Sequence, residues 1–388
     1  MRKIEKIDTR KLSQEELATA IEENKVIYTE YLDKEFVITL IENVLQVVDE
    51  SYFRSVFIGF KNLPERNNPK HPLIYASNHS GMAFPWDAII FSGGLLKKHG
   101  YDWKQSVRPL TAPMLSATTL MNPFLMKNVW KRSGGIDATS LNFETMMHYQ
   151  GAELLIYPEG VPGIGKGFNH KYELQRFSTS ALRMSLKYKT DIIPFATING
   201  EYINPHVYSI KVVNRLSSKV GIPFIPIGLL TPFILLQPWI FYMAFPAKLF
   251  YVMGDRISPY KMITKPYSEI TREDLVELSN RIHDEMQVQT NIAVEKWGKN
   301  PYQMKEFWKR FRKNLNKFPF NMPFGWPLIF TEYERQFNRY QKTGKEVKLN
   351  LGRGSFFRFI FKNPIVICYF LPIIGWIPLL IKGYRNTD

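Results

Sequence analysis

Cysteine is almost absent: Cys368 is the only one in 388 residues. One thiol excludes an intrachain disulfide and leaves no Cys-based metal site to build. It fits a reducing compartment. Acidic residues are also scarce, 35 Asp and Glu against 51 Lys and Arg, for a formal net charge of +16. Such an excess points to an anionic partner: nucleic acid, an anionic membrane or phosphate-bearing substrates. No nucleic-acid-binding motif is present and the basic region adjoins long apolar runs, so nucleic acid is set aside. The segment Met1-Arg-Lys-Ile-Glu-Lys6 is charged and leads into a polar helix. No signal peptide is therefore expected, which places the protein in the cytoplasm or on the cytoplasmic face of a membrane. Internal repeats and low-complexity tracts are lacking.

What is abundant is apolar and aromatic: 45% of residues are hydrophobic and 14% are Phe, Trp or Tyr. A chain of this size can build a sizeable core. Basic residues mixed with aromatics favour an anionic membrane surface as partner, peripheral or monotopic in attachment. Ser13-Gln-Glu-Glu16 is a capping box that opens a helical region running, with breaks, to about Glu50. Short apolar strands are expected at 73–76, 108–111, 153–157, 191–196 and 247–252, preceded by an alternating stretch from Val56. Helices are expected at about 86–98, 112–131, 140–150 and 178–189. Strand and helix alternating at these spacings predict an α/β fold, a mostly parallel sheet flanked by helices. Its ligands would sit at strand C-terminal ends.

Two stretches break this pattern. Val220 to Ala247 has no charge in 28 residues and holds five prolines. Five prolines argue against a straight helix and for a hydrophobic hairpin dipping into one leaflet, or an insertion packed on the core. Asn363 to Ile381 is 19 uncharged residues with three prolines between Lys362 and Lys382; it reads as a span or as a re-entrant or interfacial segment. Between them lie a helix at 271–298 and a basic amphipathic helix within 295–317. The chain divides into N-terminal helices (1–54), an α/β domain (55–260, with 220–247 as membrane-facing insertion) and a C-terminal membrane-associating helical region (261–388).

The chemistry concentrates in two blocks. His79 lies in Asn78-His-Ser-Gly-Met-Ala-Phe-Pro-Trp-Asp87. An imidazole near neutrality suits a general base for a hydroxyl, and a carboxylate on its other nitrogen would fix the tautomer. Asp87 can supply it if Gly81 to Pro85 makes a tight bend; it can also cap the helix that follows. The second block, Tyr157-Pro-Glu-Gly-Val-Pro-Gly-Ile-Gly-Lys-Gly167, follows an apolar strand. Its spacing is neither a P-loop nor a dinucleotide fingerprint. Glu159 is expected to organise this loop through backbone N–H bonds, and Lys166 and Arg176 to meet anionic substrate groups. Lys131-Arg132-Ser-Gly-Gly suits a headgroup or coenzyme phosphate.

Taken in order, these blocks resemble the glycerol-3-phosphate and lysophosphatidate acyltransferase superfamily. Its Asn-His-(four residues)-Asp motif is similar to Asn78-His79…Asp87, with seven residues intervening here; Ser80-Gly81 and Pro85-Trp86 look like a divergent branch. Lys131 to Ile136 resembles the second motif. Tyr157-Pro-Glu-Gly-Val161 resembles Phe-Pro-Glu-Gly-Thr, with Lys166 in place of an Arg that often follows. Ile192-Ile-Pro-Phe195 resembles the fourth. The resemblance covers 55–260. It implies transfer of a fatty acyl chain from acyl-CoA or acyl-carrier protein to a lipid hydroxyl, with no bound cofactor or metal. His79 and Asp87 would be catalytic; Glu159, Gly160, Lys166, Arg132 and Arg176 would bind substrate. The rival expectation is a non-catalytic lipid-binding or tethering protein on the same scaffold.

Overall fold

The computed structural model describes residues 7–383 except 31, 82, 211, 213, 216–226 and 353. The start of the Val220–Ala247 stretch thus lies outside the described residues. Seven strands form one sheet: β1 (Val56–Ile58), β2 (Ile74–Ser77), β3 (Val107–Thr111), β4 (Ile136–Asp137), β5 (Glu153–Ile156), β6 (Ile192–Ile198) and β7 (Phe250–Met253). Their order is β1-β7-β6-β2-β5-β3-β4. All pairs are parallel except β6 with β7. The α/β sheet is therefore as expected, with the edge pair β1 and β7 running opposite to the other five strands, which the apolar run at 247–252 did not announce.

Central strands buried on both faces read as continuous apolar runs. Alternate side chains divide between two cores. Tyr75, Leu155, Ile193 and Phe195 face helix Trp86–Lys98, while Ile74, Leu154, Ile156 and Ile192 face helices Ser140–Met146 and Ser180–Tyr188. The first core also takes in Phe36, Val44, Trp326, Phe337 and Val366. The N- and C-terminal regions thus share one core with the sheet. Buried Arg108 ties the N-terminal region down, donating to the carbonyls of Ile27, Tyr28 and Gly134.

The capping box forms as read: Ser13 and Glu16 satisfy each other's backbone N–H groups. Helix Arg272–Trp297 starts on a second box, Thr271 with Asp274. The expected 112–131 helix is instead broken into Pro113–Ala117, two 3₁₀ turns and Val129–Arg132. Phe124, Leu125 and Asn128 have positive φ, which no α-helix accommodates. The basic amphipathic helix is Met304–Lys313. No helix among the described residues is long and apolar enough to cross a membrane; the 363–381 tail is short 3₁₀ turns and a six-residue helix.

Candidate active site

Parallel β2 and β5 end side by side, so the loops after Ser77 and Ile156 meet. Asn78 extends the pairing beyond β2: its Nδ2 donates to the Thr197 carbonyl (3.0 Å) and its Oδ1 accepts from the Thr197 N–H (2.7 Å). His79 is thereby fixed at the sheet's edge. Its own N–H donates to Glu159 Oε1 (2.7 Å), and the second Glu159 oxygen accepts from the Gln175 N–H (2.7 Å). Glu159 is the expected loop organiser, joining both blocks through main-chain bonds. Burial raises its pKa against the charge of Lys166.

The imidazole of His79 stacks on the Tyr157 ring at 4.5 Å between centroids. Gly163 closes in from one side; a Cβ there would lie 2.9 Å from His79 Cδ2. Among the described residues the ring nitrogens make no hydrogen bond. Burial, and then the positive charge of Lys166, push the His79 pKa down to about 3. The ring is neutral at physiological pH with both nitrogens free to meet a substrate.

The expected His79–Asp87 pair is not formed. Gly81 does supply the bend, at φ +81°, where a Cβ would lie 2.9 Å from the Lys166 carbonyl oxygen. The longer loop nevertheless leaves the carboxylate with a nearer partner, the Ser80 hydroxyl, which donates to Asp87 Oδ2. Nor does Asp87 cap the helix that follows: helix Trp86–Lys98 starts one residue earlier, its N-cap is Pro85 with no side-chain cap bond, and Asp87 lies in the first turn, where the Ala88 N–H helps to lower its pKa. Burial pushes its pKa up to about 6, against the Ser80 bond. Tyr251 donates to the Asp87 carbonyl (2.7 Å) and the Trp86 indole to the Tyr242 carbonyl (2.8 Å), clamping the helix start.

Two expected anion ligands are spent inside the protein. Lys166 is buried, its ammonium 3.7 Å from both Glu159 and Glu201 and donating to the Glu173 carbonyl (3.1 Å). Arg132 lies 3.6 Å over the Phe36 ring and bonds Glu334 (3.3 Å), fastening the N-terminal region to helix Trp326–Thr343. Arg176 is exposed and has no hydrogen bond or ion pair among the described residues, so it stays available. Gly160, at φ +59°, has open space where a Cβ would be.

Three residues that matter here carried no functional signal in the sequence. Ser80 served only as a family mark. Glu201 is distant in sequence from both blocks, so nothing local flags it. The Tyr157 hydroxyl is buried without a partner, a feature visible only in three dimensions. Tyr157 also walls a cavity of about 660 Å³ between helix Gln14–Asn24 and the sheet, lined by Leu17, Leu110, Phe143, Ile156 and Met184, with Gly160 and Arg183. No group of three or more His, Cys, Asp or Glu that could hold a metal occurs among the described residues.

The Acyltransferase family model matches residues 54–198, from the edge of β1 to the end of β6. All four blocks that resemble the glycerol-3-phosphate and lysophosphatidate acyltransferase superfamily lie within this stretch. The chain is also 27% identical over 201 residues to an uncharacterised protein of Mycobacterium leprae, covering 52% of this chain and 50% of that one. It is 26% identical over the same length to one of Mycobacterium tuberculosis, covering 52% of each. The match thus spans about half the length of these relatives. Superposition on the crystal structure of the 1-acyl-sn-glycerophosphate acyltransferase PlsC from Thermotoga maritima covers 73% of this chain and 97% of that one, at 13% identity and a TM-score of 0.35.

The pKa directions set a pH dependence. Asp87 should be ionised above about pH 6 and His79 neutral throughout. Turnover at low substrate should rise with pH to a plateau above about pH 6, and Asp87→Asn should remove that limb. A limb near pH 6.5 surviving in the variant would assign it to His79 instead. Stability moves oppositely. The folded pKa of Asp87 exceeds its unfolded value of 3.8. Ionisation therefore costs folding about 3 kcal/mol, developed between pH 4 and 6 and constant above.

Proposed function

We propose that this protein is a membrane-associated O-acyltransferase that moves a fatty acyl chain from acyl-CoA or acyl-carrier protein to a hydroxyl of a lipid acceptor, a lysophospholipid or glycerolipid, at the cytoplasmic face of a membrane. The observation that carries this is His79: a neutral imidazole with unbonded nitrogens, held by its backbone at the end of β2 inside an acyltransferase domain. The acceptor hydroxyl gives its proton to His79 as its oxygen attacks the thioester carbonyl. The tetrahedral intermediate collapses, the C–S bond breaks, and the thiolate leaves, taking the proton from the imidazolium. Burial makes that imidazolium costly. The negative charge of the intermediate offsets this cost, and an ionised Asp87, later in the same block and held by Ser80, would add to that offset without a hydrogen bond to the ring.

The cavity of about 660 Å³ has the size of an ordinary ligand pocket and a mixed lining: Leu17, Leu110, Phe143, Ile156 and Met184 suit an acyl chain, and Arg10, Arg183 and Lys187 an anionic group. Exposed Arg176 beside the Glu159-bound Gln175 suits an anionic group of donor or acceptor. A non-catalytic lipid-binding role has one observation on its side, the unformed His79–Asp87 pair.

Release of free thiol from acyl-CoA and from acyl-carrier protein, measured with a panel of lysophospholipids, diacylglycerol and hydroxy- or amino-lipids, decides between the two. Acceptor-dependent thiol release with a hydroxyl lipid is expected. Lipid binding with no thioester consumed across the panel establishes the non-catalytic role.

A further inference from the structure

We infer that the segments 229–242 and 357–381, far apart in sequence, form one surface that seats in a single leaflet of an anionic membrane, with its root against the His79 loop. The inference rests on the acyltransferase reading only for what the surface delivers. The segments are joined directly. The Ile373 N–H donates to the Leu236 carbonyl (2.6 Å), the Trp376 indole to the Leu235 carbonyl (2.9 Å), and Gln237 Nε2 to the Leu371 carbonyl (2.6 Å). The surface they present is apolar and uncovered: Leu235 is 71% exposed, Ile373 70%, Leu380 74% and Ile381 75%.

Isolated exposed Leu or Ile residues need no explanation, but a contiguous patch of this kind marks a binding surface. Three features select a lipid leaflet as its occupant. The first is charge placement: Asn363 to Ile381 has no charge, while exposed Arg358 and Lys362 flank Phe357 and Phe361 at its edge. Apolar residues inserted beneath a rim of cations match acyl chains beneath anionic headgroups. The second is continuity with more of the same pattern. Phe359 packs on Phe320 (5.3 Å), just beyond helix Met304–Lys313, where Trp308 and Phe318 are exposed among Lys305, Lys309, Arg312 and Lys313. The third is depth: no helix among the described residues can span a bilayer, and short turns suit insertion into one leaflet.

The root of the patch touches the catalytic loop. Phe241 and Tyr242 pack on Phe84 at 5.7 and 5.1 Å, and the Trp86 indole bonds the Tyr242 carbonyl. Phe84 and Trp86 lie between His79 and Asp87 in the chain. An acceptor lipid therefore reaches the base from within the leaflet rather than through water.

The test uses the full chain and its Leu235→Asp/Leu380→Asp/Ile381→Asp variant, checked for an unchanged urea midpoint. Flotation is measured on phosphatidylcholine vesicles with and without phosphatidylglycerol. Wild type should float best with the anionic lipid, and the variant's bound fraction should fall at least tenfold. Thiol release should fall similarly with a long-chain acceptor embedded in vesicles, and stay unchanged with a short-chain acceptor monomeric in water. Undiminished flotation of the variant overturns the inference. So does a wild type that ignores vesicles and elutes as a dimer that the variant does not form, which would assign the patch to a second copy. Flotation as expected, but no thiol release by wild type with either acceptor, upholds docking and removes the acyltransferase reading alone.

Discussion

Replacing His79 with alanine should lower acyl transfer by about 10²–10⁴-fold, the usual worth of a positioned general base. The same variant should fold and bind vesicles like wild type. Its backbone N–H, which Glu159 accepts, survives the substitution, and so does the Asn78 bridge to β6. The ring itself contributes a stack on Tyr157 and no hydrogen bond among the described residues. Loss of turnover should therefore appear without comparable loss of stability. Thiol release assayed beside a urea unfolding curve separates the two effects. Turnover within a factor of a few of wild type would reject His79 as the base.

Lys166→Met should act in the opposite way, on stability. The substitution strips the ammonium from between Glu159 and Glu201 and leaves two buried carboxylates facing each other. Breaking a buried ion pair by removing one partner costs about 3–5 kcal/mol. The urea midpoint should drop accordingly, and adding Glu201→Gln should recover part of the loss by removing one of the stranded charges. Had Lys166 been a phosphate ligand, the variant would instead keep its midpoint and show a raised KM for the acyl donor. That result would return Lys166 to the substrate.

The contrast between these two residues shows what the sequence makes legible. Helix Trp86–Lys98 and strands β2, β5 and β6 came within a residue or two of their expected positions, because apolar runs and turn residues report local conformation and burial together. His79 and Glu159 could be placed for the same reason: each directly follows a readable strand. The fate of a cation could not be read. Lys166, Arg132 and Arg176 look alike in the chain, yet one is buried between carboxylates, one is stacked on Phe36 and one is exposed. Glu201 and Phe36, which decide this, are remote in sequence from the residues they capture. The His79–Asp87 pair failed for a local reason that the spacing already hinted at: seven intervening residues leave room for Ser80 to take the carboxylate first.

The start of helix Trp86–Lys98 answers to the sheet and to the 239–242 turn, through Tyr251 and Tyr242. The loop from Gly160 to Arg176 answers to Glu159 and, at Gly160 and Arg176, to solvent. Within that loop Gly163 and Lys166 pack against the His79 site, while Gly160 and Arg176 do not. On the proposed function, substitutions at Gly160, Val161 or Arg176 should therefore change which lipids are used while the geometry around His79 stays as it is, which makes these three positions the natural starting point for altering the acceptor range by design.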